Sequence, residues 1–167
     1  VIGDSFIFFP SLFRAQSNNN VPGSAYDRIE VDLTALAGKQ ITGIQITEYG
    51  DYGILTSGSV SVSGGLFLTN IGGTGTGTVA LASLVSTPAT MTSGQGNWTA
   101  TATITGLDWS KAKFVMDNNL QATSAVGSTS FIEKKVGDPA IIVTIIPEPA
   151  TLGILGLGAL ILLRRRK

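Results

Sequence analysis

Cysteine and histidine are both absent from the 167 residues. Without them the chain has no disulfides, no thiolate or imidazole metal ligands, no cysteine nucleophile and no histidine-dependent triad. The missing disulfides leave export open, because a core of this size stands without staples. Positive charge is scarce too, and unevenly placed. Four of the 11 cations are the terminal Arg164, Arg165, Arg166 and Lys167, and one of the 11 acids is Glu148, so residues 1–146 carry seven cations against ten acids. No basic stripe is left to neutralise phosphates, which excludes nucleic acid as a partner. No repeat of propeller or solenoid length is present. Val1 opens the chain, and Asp4 and Arg14 interrupt its first apolar stretch. No leader is read there, and an export signal is expected to have been removed or to lie outside these residues.

What is present is mostly strand pattern. Ile29, Val31 and Leu33 alternate with Arg28, Glu30 and Asp32, which gives one dry and one wet face. Trp98, Ala100, Ala102 and Ile104 alternate with a ladder of threonines, whose branched side chains suit an exposed pleat. Further strands are predicted over 2–9, 40–48, 58–63, 66–71, 112–116, 121–126, 131–136 and 140–146. Residues 79–85 have an ambiguous period. The pair 58–63 and 66–71 reads as a hairpin through Gly64-Gly65. Turns are expected at Tyr49 to Gly53, at Asp117-Asn118-Asn119 and at Gly137-Asp138-Pro139, with loops over 17–23, 72–78 and 86–96. The Gly/Thr run of 72–78 lacks core-forming side chains and reads as flexible. The apolar run Ile141 to Ile146 is expected to be buried on both faces. Short strands at this spacing predict an all-β, antiparallel β-sandwich of jelly-roll type over residues 1–146.

Candidate chemistry is thin. Glu48 and Asp51 flank Tyr49 and Tyr52 and are the one pair worth weighing for glycoside cleavage, which needs two acids facing each other across a cleft. The alternative, preferred here, is two solvated turn acids. Asp27, Glu30 and Asp32 lie along one strand, but their spacing is not that of a calcium loop, so no metal site is assigned. Trp109, Tyr49 and Tyr52 form a possible sugar-stacking set, with Trp109 read as exposed beside Asp108 and Ser110. Trp98 belongs to a dry face and is assigned to the core. Asn97-Trp98-Thr99 fits a glycosylation acceptor pattern and receives no weight. The reading therefore assigns no catalytic residue and no cofactor.

The last 21 residues differ from everything before them. Pro147-Glu148-Pro149 breaks the chain, Ala150 to Leu163 is apolar, and four cations follow. A helix over 150–163 would be apolar on every side and would extend about 21 Å, short of the ~30 Å bilayer core. The terminal arginines extend such a span by snorkelling to the headgroups, and they favour the cytoplasmic side. Pro149 suits a first helical turn, and Glu148 suits the positive end of the helix.

These three parts, in this order and continued by Ala150-Thr151-Leu152, resemble the PEP-CTERM sorting signal of bacterial surface proteins. The resemblance covers residues 147–167 alone. It implies a single C-terminal hydrophobic helix in the membrane before processing and an exosortase-type processing enzyme as partner, with Pro147, Glu148 and Pro149 as the recognised motif and 164–167 as the membrane-anchoring cluster. It also implies an exported product, held first in the bacterial membrane and then at the cell surface or in an exopolysaccharide matrix. The expectation is a non-enzymatic, structural or adhesive surface protein. A carbohydrate-binding module is the alternative, and a polysaccharide hydrolase the weaker one.

Overall fold

The computed structural model describes residues 4–135 and 139–147. Its strands are β1 (Ser5–Phe8), β2 (Arg14–Asn18), β3 (Gly23–Thr34), β4 (Ile41–Leu55), β5 (Gly58–Asn70), β6 (Val79–Ser83), β7 (Val85–Thr87), β8 (Gly94–Trp109), β9 (Lys111–Ser124), β10 (Thr129–Lys134) and β11 (Ile141–Pro147). They form two antiparallel sheets, one of seven strands and one of four. In the large sheet β4 is central. It pairs with β8 along one side, and along the other with β11 through Ile41 to Glu48 and with β10 through Gly50 to Leu55. Beyond these lie β1 against β11, β2 against β10 and β7 against β8. The small sheet runs β3-β9-β5-β6.

The inner faces pack on each other as the two clean alternations require. Leu33 of β3 is buried, while Arg28, Glu30 and Asp32 face water. Trp98, Ala100, Ala102 and Ile104 of β8 are buried, and Thr101, Thr103 and Thr105 are exposed. The core falls into two apolar clusters. One is built around Ile44, Ile46, Leu66, Phe114 and Met116, and the other around Ile54, Val62, Trp98, Leu120 and Ile132. Leu84, between β6 and β7, packs on both as the chain leaves the small sheet for the large one.

Several strands run through places where turns were expected. β4 continues through Tyr49 to Gly53 because its two glycines make room rather than bend the chain. A side chain at Gly50 would collide with the Trp98 ring, and one at Gly53 with the Phe131 ring. β9 continues through Asp117-Asn118-Asn119, where Asp117 accepts from the Tyr26 hydroxyl of β3 and Asn118 donates to Glu48 of the facing sheet instead of closing a local turn. The hairpin at Gly64-Gly65 does not form. β5 crosses it with Gly64 at φ 151°, where a Cβ would strike the Asp117 carbonyl of the neighbouring strand.

Two further expectations are corrected. β11 buries Ile141 and Val143, but its other side is only half covered, as expected of one strand in a sheet that has solvent on its outer face. The 72–78 run, read as flexible, is fastened down. Asn70 Nδ2 donates to the Thr74 carbonyl, Asp108 Oδ1 accepts from the Thr76 amide at 2.6 Å, and Trp109 Nε1 donates to the Thr76 carbonyl at 2.6 Å. The expected C-terminal helix over 150–163 lies outside the described residues. Among the described residues no helix is long and apolar enough to cross a membrane.

Candidate functional site

From Ile44 onward on β4, past the register shift that follows Ile41, side chains at even positions point inward and those at odd positions outward. Glu48 therefore follows Ile44 and Ile46 into the core, where it is fully buried, and Asp51 points to the outer face. The solvated-turn reading of Glu48 is thus overturned. So is the acid pair, because the two carboxyls lie on opposite faces of one strand. Asp51 accepts from Lys135 Nζ at 2.8 Å on the surface.

The same alternation brings two more polar side chains to Glu48. On β9 the inward series Phe114, Met116, Asn118, Leu120 passes from one apolar cluster to the other, with Asn118 at the boundary. On β10 the inward series Ser130, Ile132, Lys134 ends beside Gly50 of β4. Lys134 Nζ lies 2.9 Å from Glu48 Oε1, and Asn118 Nδ2 donates to Glu48 Oε2. All three side chains are buried, with relative exposures of 0% for Glu48 and Asn118 and 2% for Lys134.

The trio is incompletely satisfied. The Lys134–Glu48 contact lacks hydrogen-bond alignment, so among the described residues Lys134 Nζ, Glu48 Oε1 and Asn118 Oδ1 have no hydrogen-bond partner. The Phe13 ring lies 5.2 Å from Lys134 Nζ. Burial pushes the Lys134 ammonium below the usual lysine value, against the pull of Glu48 and the weaker pull of Asp27. Asp27 faces Asn118 in the β3–β9 ladder.

The proposed sugar-stacking residues do not share a surface. Trp109 is 1% exposed and belongs to the core, which corrects the exposed reading. Tyr49 and Tyr52 are half-buried on opposite faces of β4, and Tyr52 packs against the second cluster. Glu30 on the wet face of β3 is held by Lys113 Nζ at 2.7 Å and Arg28 at 3.5 Å. The Lys113 hydrogen bond keeps the Glu30 carboxyl below its ordinary value. On the outer face of the large sheet, the Arg14 guanidinium stacks 4.2 Å from the Phe131 ring centroid and pairs with Glu133 at 2.9 Å.

These features define a two-layer antiparallel β-sandwich with a polar knot inside it. Residues 146–167 match the model of the PEP-CTERM protein-sorting motif, and the rest of the chain is unassigned. No curated protein and no solved structure matches the chain. The motif is that of exported proteins processed at the membrane by an exosortase-type enzyme. Of its residues, Pro147 closes β11 opposite Ile41. Glu148, Pro149 and the cations 164–167 lie outside the described residues.

Proposed function

We propose that the chain is a non-enzymatic jelly-roll sandwich delivered to the bacterial surface or its exopolysaccharide matrix, where it has a structural or adhesive role. The observation that carries this reading is the sorting motif, which begins where the last strand of the sandwich ends. The strand orders support the jelly-roll part. With β1 and β2 taken as one interrupted strand and β10 and β11 as another, the two sheets interleave as two Greek keys do.

The position of the attachment supports a load-bearing role. β11 lies between β1 and β4 rather than at an edge, so tension on a tail anchored to the membrane pulls it along its own axis against two ladders of hydrogen bonds. A threonine-covered outer face on β8 supports a bland, hydrated exterior. Glu48 and Asp51, the only acids weighed for hydrolysis, point to opposite faces, which supports the non-enzymatic reading.

The test is processing in a host carrying the exosortase-type enzyme. Replacing Pro147, Glu148 and Pro149 by alanine is expected to leave the apolar stretch able to insert while removing the extended junction. Full-length precursor should then accumulate in the membrane fraction, as read by gel mobility. Release of that variant at the wild-type rate would reduce the tail to a simple hydrophobic anchor.

A further inference from the structure

Sorting makes no use of the amine, carboxamide and carboxyl that meet between the two sheets. Lys134 reaches the trio from the large sheet, Asn118 from the small sheet, and Glu48 stands between them with one oxygen on each. Buried polar atoms in native proteins are ordinarily paired, so a fully buried trio with three unsatisfied atoms calls for a chemical reason. We propose that Lys134 and Asn118 join spontaneously in an intramolecular isopeptide bond, with Glu48 relaying the proton, and that this bond staples the two sheets together.

The chemistry balances without an oxidant or cofactor. Glu48 first takes one proton from the Lys134 ammonium at Oε1, which leaves a neutral amine beside a neutral carboxyl. The amine attacks Cγ of Asn118, and a new C–N bond forms as the Cγ–Nδ2 bond breaks. A second proton passes from Nζ to the carboxyl as the carboxyl gives one to the departing Nδ2, which leaves as ammonia, and Glu48 ends protonated. The carboxyl thus touches both the nucleophile and the leaving nitrogen, which is where a relay has to be. Burial favours the neutral, nucleophilic amine. It also excludes the water that would compete for the carbonyl. Three strands hold the groups in one place, so an amide that is inert in solution meets its nucleophile at high effective concentration. The product replaces a buried ion pair by a neutral amide, which removes the desolvated charge on both sides.

The placement fits the load path described above. Asn118 sits in the middle of β9, and Lys134 ends β10, the strand that lies in line with β11 along β4. A bond between them joins the sheet that bears the tail to the sheet that does not. In a chain without cysteine it supplies the covalent brace that a disulfide gives other exported domains.

The deciding measurement is the intact mass of the full chain, produced without the processing enzyme and denatured before analysis. The wild type is expected to be lighter than its sequence by one ammonia, about 17 Da. Trypsin should cut after Lys113 and Lys135 but not after the acylated Lys134, giving a peptide of residues 114–135 with the same deficit. A second cut after Phe131 should add one water and leave the pieces joined, which locates the bond. Glu48→Gln, shown to be folded by circular dichroism, should have the full sequence mass and be cut after Lys134. Asn118→Ala and Lys134→Met should also lack the deficit. Wild-type protein of full sequence mass, or a deficit mapping to any other asparagine, overturns the proposal whatever the variants do. A Glu48→Gln chain that is linked as completely as wild type overturns the relay.

Discussion

Lys113 and Glu30 stand 2.7 Å apart on the outer face of the small sheet, and Lys134 and Glu48 stand 2.9 Å apart between the sheets. The two pairs have the same charges and nearly the same separation. Their side chains are 41% and 44% exposed in the first pair, but 2% and 0% exposed in the second. On the surface, water and salt screen the attraction, and holding two long side chains together costs entropy, so the pair does little beyond keeping the edge strand β3 soluble. In the interior the attraction is strong, but so is the penalty for taking both charges out of water, and the net gain in stability is small. An ion pair that costs this much to bury is worth keeping where it fixes an arrangement or reacts. The contrast therefore assigns the interior pair to chemistry and register and the exterior pair to solubility.

The sharpest way to break this contrast is to remove one partner from each pair. Lys134→Met leaves the Glu48 carboxyl buried with only Asn118 against it and also removes the proposed bond between the sheets, and is expected to lower unfolding stability by about 3–5 kcal/mol or more in chemical denaturation. Adding Glu48→Gln should recover part of that loss, because the uncompensated charge is gone. A strongly non-additive cycle at this pair, set against an additive one at Glu30 and Lys113, would establish the difference. Equal coupling at the two sites would abolish it.

A smaller effect is expected where an interior polar group is neutral and well paired. Trp109→Phe removes the indole donor from the Thr76 carbonyl and is expected to cost about 1–3 kcal/mol. It should also speed amide exchange in residues 72–78, which that bond and the Asp108 contacts hold against the sandwich. Unchanged exchange there would show that the Asn70 and Asp108 contacts fasten the loop without it.

How much of this is legible in the sequence depends on where the alternation keeps its phase. β3 and β8 read correctly because single runs of period two map directly onto one dry and one wet face. Trp109 does not, because Asp108 and Ser110 beside it read as a turn, whereas β8 runs on to Trp109. The β4–β8 ladder shifts register there and Gly106 takes φ 78°, so that consecutive Thr105 and Gly106 are both exposed and Trp109 is turned into the core. The polar trio was hidden for another reason. Glu48 and Asn118 lie in segments rich in Gly, Asp and Asn, which read as turns when the space-making role of Gly50 and Gly53 cannot be seen. A signal was present: Ile44-Ile46-Glu48, Phe114-Met116-Asn118 and Ile132-Lys134 each extend an apolar period by one polar residue. Read as strands carried forward, each places a polar side chain on the dry face. Pairing them needs the sheet order, which no single strand contains. The sorting motif, being contiguous, needed no fold at all.

The smallest expected effect is at the exterior pair, and its pH dependence carries the argument. Lys113 holds the Glu30 carboxyl below its ordinary value, and Glu30 in turn raises the Lys113 ammonium above the lysine value. A depressed carboxyl contributes stability that is present above its unfolded-state value and lost as pH falls through the folded one. A raised ammonium contributes stability that is present below its unfolded-state value and lost as pH rises through the folded one. Between these limits the pair is intact, and both groups are so exposed that screening leaves little of it. Glu30→Gln is therefore expected to leave the melting temperature at neutral pH essentially unchanged. Any small difference from wild type should vanish in acid, once the wild-type carboxyl is protonated, and should shrink in high salt. Thermal melts of the two proteins at acid and neutral pH, with and without added salt, check this. A loss at neutral pH as large as that of Lys134→Met would mean that solvent exposure does not separate the two pairs.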